Sequence, residues 1–384
     1  MNKIMTQKFF TITLFLTLIN ATLFAQNRIS IDKQFAREKE NNSFWFLNSL
    51  EFKSIAIQDN GWQIWGCSPI IGPEGKTHLF VARWPQETGH EGWYTDSQIT
   101  HYVGETPEGP FQFSEVVFEG TGKDTWDKYA PHNPTIHKVG DTYALFYIAN
   151  TGKEQRPRNQ KIGLATSKSL YGPWKKAGKD GLILSPPSDS TYYNCNSTNG
   201  VVNPAFLQHP DGRFFLYFKS NDMRKKDHWK PMMGLAIADK MEGPYIQMKT
   251  PVTKNNSIIE DGYAFNYNNK IYLVTTDNHG MIEMGGGLIW ESEDGMNFSN
   301  PKQAYKRLAH YFGGTLPEKA NKTTGDRGSK FERPQILMID GKPSYLYCPS
   351  GTNTDGGKGS AGYILKIRED FLPLSANQKA DVFK

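Results

Sequence analysis

One unit recurs five times along this 384-residue chain, and the repeat limits the folds that the chain can adopt. Each copy has a polar or acidic residue, usually a Pro, an apolar pair, a Gly-containing turn and an aromatic-rich strand. The copies are aligned on one residue each, the repeat anchor, which is Pro69, Pro134, Pro204, Gly262 and Pro334 in turn. A second apolar strand follows each copy, and the first four of these end in a Gly turn and an aromatic residue. Regular repetition at this period is typical of arrays and propellers.

Each unit contains two pairs of period-2 strands rich in Val, Ile, Tyr and Phe, separated by Gly, Asn, Asp and Pro turns. Four strands per unit at this spacing predict an all-β fold, a five-bladed β-propeller with four-stranded antiparallel blades. We assign residues 61–384 to the propeller domain and 26–60 to an N-terminal extension. Within that extension, 31–41 is predicted to be a short helix. The stretch 44–64 is expected to pair at an outer edge or to cover one face.

The first 25 residues have the features of a signal peptide. Lys3 and Lys8 precede an apolar run over 9–18, and Ala25 offers a cleavage point. The run is too short for a good membrane-spanning helix, and no Cys lies near the cleavage point to carry a lipid. We therefore expect an exported protein, periplasmic or secreted, without a membrane anchor.

The composition limits the classes of partner. Aromatic residues make up 13% and charged residues 22% of the chain, which excludes wholesale disorder. The net charge is +5, and no basic block is dense enough to predict a nucleic-acid partner. Cys67, Cys195 and Cys348 fit neither a disulfide framework nor a zinc spacing. Their odd number leaves at least one free or intermolecular thiol, and we expect a monomer in which all three are buried small hydrophobic residues.

A propeller brings the starts of its innermost strands to one end of the central channel. The residues just before each repeat anchor are therefore expected to meet in one funnel, although they are far apart in sequence. A concave site with a few polar groups on a rigid scaffold is the default binding site. The ring predicted in this way consists of Ser68, Asn133, Asn203, Glu260 with Asp261, and Glu332.

The blade repeats, the GPF, GPW and GPY turns and the segment HNPTIHKVGDTYALFY resemble the five-bladed glycosidases of glycoside hydrolase family 43. The resemblance covers roughly 60–370 and implies a first-blade Asp base, a third-blade Asp that tunes the site and a fourth-blade Glu acid. Ser68 and Asn203 stand at the first two positions, so the chain resembles an atypical branch, and Glu260 matches the third. The resemblance also implies a possible structural Ca²⁺ in the channel; no other cofactor is expected.

Four residues are candidates for the chemistry. Glu260 is the best general acid, because burial beside Asp261 would raise its pKa; a strand-start Glu that binds backbone amides is the alternative. Asp261 is a second carboxyl or a turn cap. Glu332 is a base or nucleophile, or else pairs with Arg333. His132 is a base, a ligand of a sugar hydroxyl or a structural residue.

The remaining candidates would bind substrate. Asn133 and Asn203 suit bidentate hydrogen bonds to sugar hydroxyls, with turn capping as the alternative. Lys219 and Arg83 end strands and would meet a uronate or sulfate, unless they are solvated. The other candidates are Trp84, with Trp65 and Trp93, for stacking on sugar faces or core packing; Asp277, for the pocket or an exposed loop; and Arg333, for a substrate carboxylate.

Three functions fit these residues. The first is an exo-acting glycoside hydrolase on plant or algal polysaccharide fragments, with Glu260 as acid and Glu332 or Asp261 as base or nucleophile. The second is a catalytically inactive glycan-binding propeller, in keeping with the missing acids at Ser68 and Asn203. The third is a polysaccharide lyase in which His132 abstracts a proton beside a uronate. In each case the partner is an oligosaccharide or a polysaccharide.

Overall fold

A computed structural model describes residues 45–154, 158–225, 230–311, 330–351 and 360–373. The predicted signal peptide over 1–25 and the predicted helix over 31–41 lie outside these ranges. Within them, no helix is long and apolar enough to cross a membrane.

The predicted five-bladed propeller is confirmed, because the strands form five antiparallel sheets in chain order. Blade one contains β2 (Trp62–Ile71), β3 (Thr77–Pro85), β4 (Gln98–Gly104) and β5 (Phe111–Phe118). Blade two contains β6 (Tyr129–Val139), β7 (Thr142–Asn150), β8 (Lys161–Ser167), β9 (Lys175–Lys176) and β10 (Leu182–Leu184). Blade three contains β11 (Val202–Gln208), β12 (Phe214–Asn221), β13 (Pro231–Ala238) and β14 (Ile246–Gln247). Blade four contains β15 (Ile259–Tyr267), β16 (Lys270–Asp277), β17 (Gly286–Ser292) and β18 (Lys302–Tyr305).

Blade five closes the propeller with strands from both ends of the described residues. It contains β19 (Gln335–Ile339), β20 (Lys342–Ser350), β21 (Ala361–Ile367) and, as its outer strand, β1 (Leu50–Ile57). Leu50 lies opposite Ile367 in an antiparallel register. The expectation that 44–64 pairs at an outer edge is thus confirmed for β1. The propeller begins earlier than position 61, because β1 belongs to blade five.

The helices of the described residues are short and lie at the margins of the blades. They are α1 (Trp45–Ser49), α2 (Gly92–Thr95) and α3 (Leu308–Tyr311), with 3₁₀ turns at Gln86–Thr88 and Glu369–Phe371. The α1 ring of Trp45 lies edge-on to Tyr272 of blade four, with 5.8 Å between ring centroids. Since Arg368 N donates to Ser49 O over 2.9 Å, α1 also contacts the end of blade five.

The core lies between the blades, where the apolar faces of neighbouring sheets pack together. The stacked rings of Phe146 in blade two and Phe206 in blade three, 4.6 Å apart, are typical of these contacts. Similar clusters join blades three and four, five and one, and one and two. Alternating side chains of one strand face opposite neighbours, which explains why each repeat is apolar at both of its alternating sets of positions.

A left-handed residue interrupts the innermost strand of blades one to four, and in blade five it lies two residues before that strand, at the same end of the channel. These five residues, the bulge ring, are Gly66 (φ 58°), Asn133 (φ 49°), Asn203 (φ 56°), Asp261 (φ 49°) and Arg333 (φ 45°). In blades one to four the pairing register shifts at this position, as a β-bulge requires. The residues that directly precede them, the wall ring, are Trp65, His132, Val202, Glu260 and Glu332.

Candidate active site

The wall ring lines a cavity of about 220 Å³ at one end of the propeller axis. All five blades contribute to this cavity, since four wall-ring residues lie in or at the start of different innermost strands and Glu332 lies three residues before β19. The predicted funnel therefore exists in the structure. The bulges matter here because a bulge turns the neighbouring side chain out of the regular pleat.

Ser68 is not part of this wall. It is 1% exposed, and its Oγ accepts a hydrogen bond of 3.0 Å from Ile136 N in blade two. Blade one differs from the other blades because two residues, Cys67 and Ser68, separate Gly66 from Pro69, whereas Pro or Gly directly follows the bulge elsewhere. The first-blade position that faces the cavity is therefore Trp65, and Ser68 is a structural residue between blades.

Two glutamates from adjacent blades face the cavity. Glu260 is in β15, and its Oε2 lies 3.1 Å from Lys219 Nζ of blade three. Its side chain is 33% exposed, so solvent reaches the carboxylate. Glu332 precedes β19, is 6% exposed and is anchored by its backbone N–H, which donates to Pro349 O over 3.1 Å. Glu260 and Glu332 thus bring two carboxyl groups from adjacent blades to the cavity wall, and glycoside hydrolysis needs such a pair.

Asp261 lies beneath Glu260, and the hydrogen-bonding capacity of its carboxylate is used within the protein. Its Oδ1 accepts from Asn203 Nδ2 over 2.7 Å, and its Oδ2 accepts from Arg333 N over 3.2 Å and from Thr276 Oγ1 over 3.4 Å. It is 2% exposed, and burial raises its pKa, while the Arg333 guanidinium opposes that shift. Because these bonds hold its carboxylate in place, Asp261 suits a structural role better than a catalytic one.

A chain of side-chain amides continues this network across the axis. Asn133 Nδ2 donates to Asn203 Oδ1 over 2.7 Å, and Asn203 in turn donates to Asp261. Both asparagines border the cavity from below. They adopt the left-handed conformation that Asn tolerates better than most residues. The hydrogen bonds of their side-chain amides to each other and to Asp261 hold blades two, three and four together at the cavity floor.

His132 occupies the second-blade position of the wall ring. Its Nδ1 lies 2.8 Å from Ser97 Oγ, and its ring packs against Trp84 and Trp93, with centroids 5.6 and 5.5 Å away. Burial, assisted by the charges of Arg333 and His90, lowers the pKa of His132 to about 3. The imidazole is therefore neutral at physiological pH and suits hydrogen bonding to a hydroxyl.

Three tryptophans of blade one form an aromatic side of the cavity. Trp65 belongs to the wall ring, while Trp84 and Trp93 flank His132. Trp84 is 1% exposed, and its Nε1 donates to Gly89 O over 2.8 Å, which fixes the segment that carries Trp93. The Arg158 guanidinium lies 4.8 Å from the Trp93 ring centroid. Trp65 and Trp93 are partly exposed and present their rings to the cavity.

Residues that the sequence analysis did not select also line the cavity. They come largely from the insertion between β3 and β4 and from the region around β8, and are His90, Glu91, Tyr94, Arg158, Gln160 and Asn278. The segment GHEGW (89–93) was a usable signal, because glycines, a histidine, an acid and a tryptophan interrupt the strand pattern there. It has neither strand nor repeat periodicity, so the repeat alignment passed over it.

Besides Ser68, three predicted binding residues lie away from the cavity: Arg333, which is fully buried and absent from the cavity lining, Arg83 and Asp277. Arg83 Nη1 donates to Tyr102 OH over 2.9 Å, and its guanidinium lies 4.1 Å from the Trp62 ring centroid on the other face of blade one. Adjacent strand residues face opposite sides, so Trp84 reaches the cavity and Arg83 does not. Asp277 is fully buried, and its carboxylate accepts the backbone N–H groups of 281, 282 and 283, which shapes a loop.

No family model matches the chain. A segment of 111 residues is 31% identical to the probable arabinan endo-1,5-alpha-L-arabinosidase A of Aspergillus flavus, and equally to that of Aspergillus oryzae. The match covers 28% of this chain and 33% of each relative, so the chain matches about a third of the length of these curated relatives.

Similarity to solved structures extends over most of the chain. Zg3597, a family 117 glycoside hydrolase of Zobellia galactanivorans, has a TM-score of 0.61 at 14% identity, covering 85% of this chain and 93% of that one. The GH43_1 enzyme of Xanthomonas citri with xylose has a TM-score of 0.53 at 11% identity, covering 85% and 92%. CoXyl43, a GH43 beta-xylosidase/alpha-arabinofuranosidase from a compost microbial metagenome, has a TM-score of 0.54 at 13% identity, covering 86% and 97%. The chain therefore has the five-bladed propeller fold that the family 117 and family 43 glycoside hydrolases share.

Proposed function

We propose that this protein is a glycoside hydrolase that releases terminal sugars from plant or algal oligosaccharides and polysaccharides. The observation that carries the proposal is the pair Glu260 and Glu332, which face one axial cavity from equivalent positions of adjacent blades. Glycoside hydrolysis needs two carboxyl groups beside the scissile bond, one as proton donor and one as base or nucleophile. Trp65 and Trp93 add aromatic surfaces of the kind that sugar rings stack on.

We assign different roles to the two glutamates. Lys219 Nζ, at 3.1 Å, stabilises negative charge on Glu260, so Glu260 acts as the base or nucleophile. Glu332 is the other carboxyl of the pair, and its position on the more enclosed side of the cavity suits the proton donor. The resemblance to family 43 implied the reverse assignment, with Glu260 as the acid. The Lys219 ion pair is the reason for the change.

The size and closure of the cavity support an exo mode of action. Its volume of about 220 Å³ is below the ~300–1,000 Å³ of pockets that hold drug-sized ligands. It therefore suits one terminal sugar unit rather than several units of a chain. The insertion that carries Trp93 forms one of its sides. Longer substrates would extend from the mouth of the cavity into solvent.

The charges around the cavity favour a neutral sugar and disfavour the lyase mechanism. Lys219 is paired with Glu260, the Arg158 guanidinium lies against the Trp93 ring, and Arg333 lies under the floor, where it is fully buried. A uronate carboxylate would instead face Glu260 and Glu332. His132 has a depressed pKa of about 3, which makes it a weak base for removing a carbon-bound proton.

Product release from a panel of aryl glycosides and of arabinan, xylan and algal oligosaccharides tests this function. The panel compares wild type with Glu260→Gln and with Glu51→Gln, which changes an exposed glutamate of β1 that pairs with Lys53. We expect wild type and Glu51→Gln to release a neutral monosaccharide and Glu260→Gln to release almost none. Azide should restore turnover to Glu260→Gln if this residue is the base or nucleophile.

Other outcomes would overturn the proposal. An unsaturated product that absorbs in the ultraviolet would indicate a lyase. Equal glycan binding by wild type and Glu260→Gln, without turnover of any substrate, would indicate a binding module. The predicted signal peptide over 1–25 would place the proposed hydrolase in the periplasm or outside the cell.

A further inference from the structure

We propose that Arg333 is the resident cation of the propeller axis, in the place of a bound metal ion, and that it positions the two cavity glutamates. The part that concerns the glutamates rests on the proposed function. The part that concerns the axial cation does not, because it follows from buried contacts below the cavity. The observations concern Arg333 and the bulge-ring residues of the other four blades.

Arg333 reaches from blade five to three other blades. Its side chain is fully buried, and its Nη2 donates to the carbonyl oxygens of Asn133, at 3.0 Å, and Pro204, at 3.3 Å. Its Nη1 lies 4.0 Å from Asp261 Oδ1, and its backbone N–H donates to Asp261 Oδ2 over 3.2 Å. One guanidinium thus connects blades two, three and four at the channel mouth.

These contacts test whether the structural Ca²⁺ implied by the resemblance to family 43 fits here. Ca²⁺ takes six to eight oxygen ligands at about 2.3–2.6 Å. The oxygens that the Arg333 guanidinium faces at this level are backbone carbonyls of blades two and three and the Asp261 carboxylate. They already face a positively charged guanidinium. A divalent cation would compete with Arg333 for the same oxygens and be repelled by it, so the residues do not fit an axial Ca²⁺.

The next level of the axis does not offer an oxygen-rich site among the described residues either. His137 of blade two lies 5.1 Å from Phe206 of blade three and 5.9 Å from Tyr263 of blade four, measured between ring centroids. These aromatic rings come from three innermost strands and pack against one another. No group of three or more His, Cys, Asp or Glu residues in the described part of the chain could hold a metal ion.

Gly66 completes the fit around Arg333. A Cβ at this position would lie 3.2 Å from Arg333 Cγ and 3.8 Å from Asn133 Oδ1. Blade one is the blade whose bulge-ring residue has no side chain, and the arginine passes on that side. Gly66 and Asn133 of the bulge ring therefore border the Arg333 side chain, and Asp261 supplies its counter-charge.

The same contacts fix the catalytic glutamates through the backbone. Glu260 directly precedes Asp261, and Glu332 directly precedes Arg333. The main-chain N–H of Arg333 bonds to Asp261 Oδ2 and so joins the two positions at which the glutamates leave the cavity floor. The guanidinium holds the same carboxylate, with Nη1 4.0 Å from Asp261 Oδ1, and this side-chain contact is the one that substitutions of Arg333 remove. Because a displacement of about 1 Å can cost about a hundredfold in rate, Arg333 is a positioning residue for the proposed reaction.

The metal part of the proposal is tested on wild type by thermal unfolding in excess EDTA and in excess CaCl₂. We expect the same Tm in both, and no bound calcium by elemental analysis of the purified protein. A Tm that falls in EDTA and recovers with calcium would overturn the proposal. This measurement needs no substrate, so its result is independent of the proposed function.

The positioning part is tested with Arg333→Met, which keeps length but removes charge, and Arg333→Lys, which keeps charge but removes the planar fork. We expect Arg333→Met to lower Tm by several degrees and kcat by about 10–100-fold with little change in KM, and Arg333→Lys to lie between it and wild type. Arg83→Met, a buried arginine outside the cavity, controls for lost packing and should lower Tm while kcat stays near wild type.

If Arg333→Met does not fold, Arg333→Lys alone decides, since it retains the buried positive charge. Unchanged kcat in a folded Arg333 variant would contradict the positioning role. An equal loss of kcat in Arg83→Met would also contradict it, because the effect would then follow general stability. If wild type has no hydrolase activity but Tm ignores EDTA and calcium, the proposed function fails and the axial-cation assignment stands.

Discussion

The wall ring and the bulge ring are one residue apart in sequence and have opposite chemical designs. The wall ring presents Glu260, Glu332 and three uncharged side chains to a cavity. The bulge ring directs its polar side chains at one another, with Asp261 receiving bonds from blades three, four and five. A β-bulge explains the contrast, because it sends successive side chains to different surroundings. In each blade, the residue that lines the cavity and the residue that connects the blades are therefore neighbours in sequence.

The largest effect on activity is expected from a substitution of a wall-ring carboxyl group. Glu332→Gln should lower kcat by about 10²–10⁴-fold, the range that general acid catalysis supplies, with Tm close to wild type. The substitution keeps the side-chain shape and removes the ionisable proton. Substrates with activated aryl leaving groups should be affected least, because they need little protonation. A rate within twofold of wild type would remove Glu332 from the mechanism.

A bulge-ring carboxyl should behave differently. Asp261→Asn should destabilise the fold by about 3–5 kcal/mol, because it leaves the buried Arg333 guanidinium without its counter-charge. Urea unfolding followed by tryptophan fluorescence measures this effect. Asp211→Asn, which changes a carboxylate that binds Arg213 at the surface, provides the control and should cost far less. Similar losses for both variants would contradict the role given to Asp261.

A smaller effect separates the backbone from the packing at Gly66. Gly66→Ala should destabilise by about 2–3 kcal/mol, since an L-residue is strained at φ 58° and its Cβ would press on Arg333. Gly61→Ala is matched, because Gly61 has φ 82° and open space around a Cβ. It should cost only about 1–2 kcal/mol. Equal costs would mean that Arg333 does not use the space beside Gly66.

The last prediction concerns the dependence of stability on pH. Burial lowers the pKa of both His132 and His137 to about 3 in the folded protein, against about 6.5 in an unfolded chain. Between these values the unfolded state binds more protons, so stability falls as pH falls through that window. Each histidine contributes about 1.4 kcal/mol per pH unit. His132→Asn should make the decline in Tm between pH 6.5 and 4.5 shallower, and an unchanged decline would contradict this assignment.

The five-bladed fold was predictable because the same strand pattern occurs five times in the sequence. The site was predictable only in part. Aligning the repeats on Pro mixed the two rings: Asn133 and Asn203 belong to the bulge ring, and Glu260 and Glu332 to the wall ring. Ser68 was misplaced because blade one has two residues between its bulge and its Pro. Trp65, the true first-blade member, became visible only from the register of β2 and β3.

Other features could not be placed in the fold from local sequence. The direction of Arg83 depends on the alternation of β3, and a shift of one residue reverses it. The bond between Arg333 and Asp261 joins residues 72 positions apart and depends on the closure of the propeller. Glu91 lies in a blade-one insertion without periodicity, which a repeat alignment cannot place. Long-range geometry, rather than residue type, decides each of these cases.

A crystal structure of Glu260→Gln with an oligosaccharide that wild type cleaves tests the central claim most directly. We predict a terminal sugar in the axial cavity beside Trp65, with its glycosidic oxygen within about 3.2 Å of a Glu332 carboxyl oxygen. The bulge-ring bonds should be unchanged from the free protein. A sugar bound at another surface, or a glycosidic bond out of reach of both Glu332 and the residue at position 260, would contradict the account.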